Sequence, residues 1–417
     1  MEEWKEYRIG DVCRIKHGFA FKGIHFVDDS QKYVCVTPGN FALKGGFKND
    51  KPKYYNGPIP EDYVLHEDDL VVTMTDLSKN GDTLGYSALI PQDENYIFLH
   101  NQRIGLIEEI STGIDKHFLY WVMRTYDYQR YIVGHSSGST VKHTSPSGIG
   151  SYLFKCPDIK HQKEITAVLD NLDKKIELNR RINDNLEQQA QALFKSWFVD
   201  FEPFKDGEFV ESELGMIPKG WRVGTLSELG EIVGGSTPSK AKAHYYTKNG
   251  IAWLTPKDLS VSNCKFTAKG ENDITQEGYD SCSAKIMPKG SVLFSSRAPI
   301  GYITIAKNEI CTNQGFKSVV PKLAGTAFIY YFLKFSTSEI ENKATGSTFK
   351  EASGSLMKSL PAIVPTTIVL HNFEELMKPI FKKQEILEDE SSRLASLRDT
   401  LLPRLMSGEL TINDISI

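Results

Sequence analysis

The chain has 417 residues, of which 40% are hydrophobic and 24% charged, and its formal net charge is −4. That length is enough for roughly two to four domains, and the ordinary globular composition excludes a mainly disordered chain. No apolar run reaches the roughly 18 residues of a membrane-spanning helix, and the charged start lacks the apolar segment of a signal peptide, so we expect a cytoplasmic protein.

In chain order, the sequence first predicts a globular domain over residues 1–155. Its short apolar runs YVCV, LVVTM and SALI are typical of strands, because Gly, Pro and Asn separate them. The aromatic segment HFLYWVMRT (117–125) has helical spacing. A long helix is predicted next over 156–200, with Pro157 at its entry and Pro203 beyond its end.

Residues 201–216 are predicted to form a linker, because they combine Pro and Gly with acidic residues and have no hydrophobic period. A second domain over 217–365 has the strand-like runs SVLF and YITI and the aromatic segment FIYYFLKFS (328–336). A second long helix is predicted over 366–405 and a C-terminal tail over 406–417. The sequence therefore predicts an α+β fold with two tandem globular domains, each followed by a long helix.

The second half of the chain repeats the first at an offset of about 208–218 residues. The matched features occur in the same order and are Trp4 and Trp221, Thr37-Pro38 and Thr255-Pro256, Gly85-Tyr86 and Gly301-Tyr302, Asn101-Gln102 and Asn313-Gln314, the segments 117–125 and 328–336, and Gly138-Ser139-Thr140 and Gly346-Ser347-Thr348. We interpret the chain as an internal duplication with pseudo-twofold character.

Apolar residues recur in both predicted long helices with the alternating spacing of a coiled-coil seam. The predicted seam residues are Leu169, Leu172, Ile176, Leu186 and Leu193 in the first helix, and Ile380, Leu387, Leu394, Leu397 and Leu401 in the second. Polar residues at Asn179, Asn183, Lys383 and Glu390 weaken the seam but can fix its register. The spacing favours pairing of the two helices, and the alternative is that each helix packs only on its own domain.

Charge is distributed unevenly along the chain. Residues 217–365 carry a formal net charge of +7, whereas 1–155 carry −3, 156–216 carry −5 and 366–417 carry −3. The basic block permits a phosphate-binding face, and the acidic helical blocks are better suited to protein contacts.

Motifs of catalysis and metal binding are missing from the sequence. There is no P-loop, no H-E-x-x-H and no G-x-G-x-x-G that opens a helix, and the six cysteines have no C-x-x-C spacing. Gly134–Gly138 fits the G-x-S-x-G pattern with Ser136 as nucleophile, but a helix-like stretch precedes it and a Gly/Ser/Thr-rich loop follows. We therefore predict no catalytic residue, no metal and no cofactor in this chain.

Polar residues cluster instead in loops after predicted strands, in both copies. Arg, Lys, Asn and Gln are the side chains whose geometry reads guanine and adenine edges in the major groove of DNA. The candidate DNA-binding residues are Lys16, Lys22, Thr37, Asn40, Thr75, Asn101, Gln102, Arg103, Ser139, Thr140, Lys142 and His143 in the first copy, and Ser236, Thr237, Thr255, Lys257, Arg297, Asn313, Gln314, Ser347, Thr348 and Lys350 in the second. Individually, each could instead be a solvated loop residue, and the Asn-Gln pairs could stabilise turns.

The order of domain, helix, linker, domain and helix resembles the specificity (S, HsdS) subunits of type I restriction–modification enzymes. The strings that carry the resemblance are HGFAFKG (17–23), GGSTPSK (234–240), SWFVDFEPFKDGEFVESELGMIPKGW (196–221) and LLPRLMSGEL (401–410). The resemblance spans the whole chain, and the central string carries most of the weight.

The resemblance implies two target recognition domains, each of which reads one half of a bipartite sequence in double-stranded DNA. It implies that the two helices pack as an antiparallel coiled coil, which acts as a spacer and docks two methyltransferase (M) subunits. Those subunits would bind S-adenosylmethionine and methylate adenine, and separate restriction (R) subunits would use ATP and Mg. The chain itself would be non-catalytic, and we expect it to bind DNA poorly on its own.

Two other readings of the sequence stay open at this point. The chain could be a non-catalytic scaffold whose two modules bind protein or carbohydrate rather than DNA. It could also be a hydrolase that uses Ser136, although the sequence around this residue disfavours that reading.

Overall fold

The computed structural model describes residues 4–78, 80–261, 264–297, 299–346 and 350–414. The chain divides into two compact units. Unit 1 comprises Met1–Lys175 with Arg393–Ile417, and unit 2 comprises Ile176–Ser392. Each unit therefore takes part of each long helix, whereas the predicted domains ended before the helices began.

Unit 1 is built from short strands and short helices around the ends of the two long helices. The strands are β1 (Lys5–Arg8), β2 (Arg14–His17), β3 (Phe26–Val27), β4 (Tyr33–Val36), β5 (Tyr54–Tyr55), β6 (Leu70–Thr73), β7 (Thr75–Asp76), β8 (Ser87–Leu89), β9 (Ile97–His100), β10 (Ile104–Glu108), β11 (Lys142–His143) and β12 (Leu153–Cys156). The helices that begin in this unit are α1 (Ile9–Val12), α2 (Lys116–Val122), α3 (Tyr126–Gly134), α4 (Pro146–Gly150) and the long α5 (Ile159–Phe198).

The described strands of unit 1 form two four-stranded sheets and two two-stranded pairs. One sheet has the antiparallel order β2-β10-β6-β8 and the other the order β3-β5-β4-β9, in which β4 and β9 are parallel. All four residues of β6 (LVVT) are buried, as expected of a central strand with β-branched side chains. The largest core cluster contains Trp121 and Phe118 from α2 together with Leu169 from α5 and Leu405 from the second long helix.

Unit 2 has the same kinds of element. Its strands are β13 (Phe209–Ser212), β14 (Gly215–Pro218), β15 (Arg222–Thr225), β16 (Gly230–Gly234), β17 (Tyr246–Thr247), β18 (Trp253–Leu254), β19 (Phe266–Thr267), β20 (Asp273–Ile274), β21 (Val292–Ser296), β22 (Ile300–Ala306), β23 (Cys311–Thr312), β24 (Lys317–Pro321) and β25 (Pro361–Val364). Its helices are α6 (Leu226–Leu229), α7 (Pro256–Val261), α8 (Gln276–Asp280), α9 (Thr326–Lys343), α10 (Gly354–Lys358) and the long α11 (Thr367–Met406).

The topology of unit 2 matches that of unit 1. The sheet β16-β24-β21-β22 corresponds to β2-β10-β6-β8, with β19 added at its edge. The antiparallel pair β15-β25 corresponds to β1-β12, and the parallel pair β18-β23 corresponds to β4-β9. The internal repeat predicted from the sequence is therefore confirmed, and the fold is α+β with two tandem domains.

The two copies differ in the aromatic helical segment. In unit 1, the predicted helix is α2, and α3 follows it after a break at Met123–Thr125. In unit 2, the corresponding segment lies in one continuous helix, α9. Thr125 caps α3 by accepting a hydrogen bond from the Tyr128 N–H, which explains why a new helix begins there.

The segment predicted as a linker contains regular structure. Residues Glu202–Phe204 form a 3₁₀ turn, and β13 and β14 pair as a hairpin. Phe201 and Phe204 pack against Trp221 with ring centroids 5.6 and 5.0 Å apart. These aromatic contacts bury apolar surface and stabilise the segment, although its Pro, Gly and acidic residues predicted an irregular linker.

Within each unit, residues of α5 contact residues of α11. In unit 1, Arg398 Nη1 lies 2.6 Å from Asp173 Oδ1. In unit 2, Asn179 Nδ2 donates to Glu390 Oε2 at 2.8 Å, and the rings of Phe194 and Phe373 lie 6.1 Å apart. Among the described residues, no helix is long and apolar enough to span a membrane.

Candidate nucleic-acid interface

In each unit, two loops leave the carboxyl ends of a parallel strand pair. The register pairs Val36 of β4 with His100 of β9, so Thr37 and Asn101 begin neighbouring loops. In unit 2, the register pairs Leu254 with Thr312, so the next residues begin the equivalent loops. We name them the Thr-Pro loop (37–40 and 255–258) and the Asn-Gln loop (101–103 and 313–315). Ligands favour this edge of a parallel sheet.

The threonines of the Thr-Pro loop stabilise the loop itself. Asn40 is 2% exposed, and its Oδ1 accepts hydrogen bonds from the Thr37 backbone N–H at 2.9 Å and hydroxyl at 3.1 Å. In unit 2, Asp258 Oδ2 accepts from the Thr255 N–H and hydroxyl, both at 2.7 Å. These side chains act as caps, and we do not place Thr37, Asn40 or Thr255 on the proposed base-contacting surface.

In the Asn-Gln loop, the asparagine stabilises the turn and the glutamine is exposed. Asn101 Oδ1 accepts from the Arg103 N–H at 3.0 Å, and Asn313 Oδ1 accepts from the Gly315 N–H at 2.8 Å. Both glutamines, Gln102 and Gln314, are exposed, and so is Arg103. The turn-stabilising alternative therefore applies to the asparagines, while the neighbouring glutamines and Arg103 point away from the core.

A glycine lies against each Asn-Gln loop. A Cβ atom at Gly18 would lie 2.0 Å from the backbone oxygen of Asn101, and one at Gly235 would lie 2.0 Å from that of Asn313. Only glycine allows this approach, which explains why both strings HGFAFKG and GGSTPSK contain it. Lys22, later in the first string, is exposed.

Unit 2 has a cavity of about 460 Å³ at this edge. Its lining brings together five of the predicted residues, namely Thr237, Thr255, Lys257, Asn313 and Gln314. The Thr237 hydroxyl hydrogen-bonds to the Gln314 side chain, which orients this amide. Polar side chains of the two loops line the cavity together with the rings of Tyr246 and Trp253, and a mixed lining of this kind is typical of ligand sites.

Seven further lining residues were not predicted as site residues, and three of them add a cation and two aromatic rings. These three are Lys240, Tyr246 and Trp253. Trp253 Nε1 donates to the Ser236 backbone oxygen at 3.1 Å, so Ser236 takes part through its backbone. The exposed Lys240 ends the string GGSTPSK, which is the signal that could have identified it.

Five further candidates of unit 1 form a group around β7 and β11. Thr75 is 6% exposed, and its Oγ1 lies 3.1 Å from His143 Nδ1. Ser139 and Thr140 are exposed in the turn before β11, and Lys142 is half-buried in that strand. The buried Thr75 therefore positions the ring of His143, while Ser139 and Thr140 are accessible to a ligand.

The base of this group is fixed by Asp76. Burial alone would raise the pKa of its carboxyl, but hydrogen bonds from the backbone N–H groups of Ser78 and Thr83 lower that pKa overall. The carboxylate therefore stays ionised and anchors the loop that follows β7.

The corresponding group of unit 2 is only partly described. Arg297 Nη1 lies 3.9 Å from Glu351 Oε2, and Lys350 Nζ donates to the Glu341 backbone oxygen at 3.3 Å. The predicted residues Ser347 and Thr348 lie outside the described residues. Both described cations already have protein partners, which a phosphate would have to displace.

Lys16 also has a structural partner. Its Nζ donates to the Asp62 backbone oxygen at 2.8 Å and lies 5.0 Å from the centroid of the Tyr63 ring. We therefore interpret Lys16 as a support for the 3₁₀ turn Glu61–Tyr63.

Ser136 does not have the geometry of a hydrolase nucleophile. Its hydroxyl donates to the Val133 backbone oxygen at 2.7 Å, and it follows α3 and precedes β11 rather than the reverse. In the parts of the chain that the structure describes, no group of three or more His, Cys, Asp or Glu side chains could hold a metal ion.

The comparison with known proteins identifies the family. The sequence model described as "Type I restriction modification DNA specificity domain" matches residues 1–188 and 218–388. The chain belongs to this family. Because the family model matches twice, once over each copy of the repeat, the resemblance seen in the sequence is confirmed and the protein or carbohydrate scaffold is not supported.

Individual members of the family show how far the similarity extends. The MjaIX specificity subunit of Methanocaldococcus jannaschii is 40% identical over 191 residues, which is 43% of this chain and 44% of that protein. The HindI specificity subunit of Haemophilus influenzae is 27% identical over 483 aligned positions, covering 98% of this chain and 100% of that protein. The S subunit structure from M. genitalium has a TM-score of 0.57 at 17% identity and covers 97% of this chain and 96% of that one. The last likeness shows the fold.

Proposed function

We propose that this chain is the DNA sequence-specificity subunit of a type I restriction–modification enzyme and that its two copies each read one half of a bipartite target. The observation that carries the proposal is the double family match, because each match contains the same pair of loops with an exposed glutamine. Glutamine and arginine side chains at loop tips can hydrogen-bond base edges in the major groove of double-stranded DNA.

We also propose that α5 and α11 form an antiparallel coiled coil that serves as the spacer between half-sites. Their contacts within unit 2 support it, because Asn179 donates to Glu390 whereas the ring of Phe194, further along α5, lies 6.1 Å from that of Phe373. Higher numbers on one helix thus meet lower numbers on the other. A helix of about 40 residues is roughly 60 Å long.

The catalytic chemistry would belong to partner subunits. We propose that two methyltransferase (M) subunits dock on the helices, bind S-adenosylmethionine and methylate adenine, and that restriction (R) subunits use ATP and Mg. Two similar copies in one chain offer two similar docking faces. Apolar side chains exposed on the helices support docking there, since Leu178, Leu376 and Ile386 are 50%, 41% and 44% exposed.

DNA binding of the purified complex tests this proposal. The chain would be expressed alone and together with a methyltransferase subunit from the same organism. Each preparation would be titrated with a library of DNA duplexes at several salt concentrations. We expect the complex to select one bipartite sequence with a steep salt dependence and the isolated chain to bind weakly. Tight sequence-specific binding by the chain alone, or no selection by the complex, would contradict the proposal.

A further inference from the structure

The backbone register makes the loops of the two copies comparable position by position. Since Val36 corresponds to Leu254 and His100 to Thr312, the residues that follow correspond as well. Position 39 therefore corresponds to 257, and position 103 to 315. The hydrogen bonds agree, because the N–H groups at 103 and 315 both donate to the preceding asparagine.

One exposed side chain is the same in both copies. Gln102 and Gln314 occupy corresponding positions, and both are exposed. A side chain that is identical in the two copies cannot by itself distinguish two different half-sites. It suits a feature that both half-sites share.

The cationic residue of each loop pair, in contrast, lies on a different loop in each copy. Unit 1 has the exposed Arg103 on the Asn-Gln loop and Gly39 on the Thr-Pro loop. Unit 2 has Lys257 on the Thr-Pro loop, with its side chain 77% exposed, and Gly315 on the Asn-Gln loop. Each copy thus has one cation on these corresponding loops, but on opposite loops.

The packing around Gly39 and Gly315 decides whether a cation could be placed at either position. A side chain is excluded at Gly315 but can be accommodated at Gly39. A Cβ at Gly315 would lie 2.9 Å from both Pro256 Cγ and Asn313 Oδ1, so an arginine there would displace a rigid ring. A Cβ at Gly39 would meet only Thr37 Oγ1 at 3.5 Å, an ordinary contact. Unit 1 can therefore accept the pattern of unit 2.

We propose that the different position of the cation on the loops makes the two units read different half-sites. Arg103 is the specificity-determining residue of unit 1, and Lys257 is that of unit 2. Gln102 and Gln314, in contrast, contact a feature common to both half-sites. This inference rests on the proposed function. Arginine binds guanine O6 and N7 through two parallel hydrogen bonds, whereas lysine is a point charge. Lys257 Nζ lies 3.4 Å from Glu271 in an exposed ion pair, which DNA can displace at little cost.

The test is a map of methylated adenines in cells that express the complete complex with variant chains. Arg103→Ala should relax the preference at one base pair of one half-site by about 5- to 150-fold, the range of a good bidentate base contact, and leave the other half-site unchanged. Arg103→Ala combined with Gly39→Lys should give that half-site a new preference. Gln102→Ala should lower methylation of every target without changing the motif.

Two controls separate the outcomes. Lys32→Ala removes an exposed cation at the amino end of β4, away from the loops, and should change nothing. Each variant must co-purify with the methyltransferase as the wild type does, which shows that it folds. An Arg103→Ala complex with an unchanged motif, or with both half-sites changed, would overturn the inference. A wild-type complex that methylates no bipartite motif would instead overturn the proposed function.

Discussion

A buried lysine in unit 2 offers the most direct test of how the domain is held to the helices. Lys265, immediately before β19, is 8% exposed. Its Nζ donates to Glu187 Oε2 on α5 at 2.8 Å, to the Tyr331 hydroxyl at 2.7 Å and to Gln384 Oε1 on α11 at 2.8 Å. One ammonium therefore joins the sheet, α9 and both long helices within unit 2.

The pKa values give the size of the effect. Burial alone would raise the pKa of Glu187, but Lys265 and Lys334 lower it from 4.5 to about 2, and at about 1.4 kcal/mol per pKa unit this corresponds to about 3 kcal/mol. Burial lowers the pKa of Lys265 to about 8 despite the attraction of Glu187, which is a cost of similar size. A buried ion pair contributes little net stability, because desolvation offsets the attraction between the charges. Removal of Lys265 would leave the Glu187 carboxylate with Lys334, 2.6 Å away, as its one cation partner among the described residues.

We predict that Lys265→Met lowers the free energy of unfolding of unit 2 by about 2 kcal/mol, less than the roughly 3–5 kcal/mol for a buried charge without a partner, because Lys334 still pairs with Glu187. Urea denaturation followed by tryptophan fluorescence measures it. The matched control is Lys195→Met, which breaks a 2.6 Å pair with Asp200 whose side chains are 55% and 37% exposed and should cost less than about 1 kcal/mol. Equal effects of the two substitutions would refute the reasoning, and so would strictly additive effects of Lys265→Met and Glu187→Gln.

Two further predictions concern single contacts of the long helices. The Ala327 N–H at the start of α9 donates a bifurcated hydrogen bond to both carboxylate oxygens of Glu374 on α11, each 3.1 Å away. Glu374→Ala should therefore cost about 1–2 kcal/mol in urea denaturation, whereas Glu375→Ala at the exposed neighbour should leave stability unchanged. His117 Nδ1 lies 2.6 Å from Asp170 Oδ2 on α5, and this close contact with the carboxylate raises the pKa of His117 despite partial burial. The folded state thus binds the proton more tightly than the unfolded state. The stabilisation by protonated His117 is therefore fully present below about pH 6.5 and is lost as the pH rises through the raised pKa. A His117→Gln variant that keeps the same slope of stability against pH would contradict this prediction.

The repeat and the element types could be predicted because they depend on local signals. Thr37 and Thr255, like Asn101 and Asn313, recur at corresponding places, and the structure shows that they cap and stabilise equivalent turns. The matched residues by which the repeat is recognised in the sequence are therefore those that fix the conformation of the loops.

The division between supporting and exposed residues could not be predicted in the same way. Whether Asn101 or its neighbour Gln102 faces outward depends on the parallel pairing of β4 with β9, which are separated by about 60 residues of chain. The bond between Glu187 and Lys265 joins residues 78 positions apart, and the local pattern gives no sign of it.

The helix seam shows the same limit. Leu169 and Leu387 are buried as the spacing predicts, but Leu397 is 47% exposed. Asn179 is fully buried and bonded to Glu390, so a polar pair occupies a place where periodicity alone favours an apolar one. Periodicity identifies the face of a helix, whereas the neighbouring domain decides which of its residues are covered.

The central claim is that this chain chooses the DNA sequence on which a partner acts. A genome-wide map of methylated adenines in otherwise identical cells with and without the gene tests it most directly. We predict that deletion abolishes methylation at one bipartite motif, two short half-sites around a fixed gap, and that replacing residues 1–155 with the first domain of another family member changes one half-site only. An unchanged map in cells whose methyltransferase is expressed and co-purifies with the chain would contradict the account.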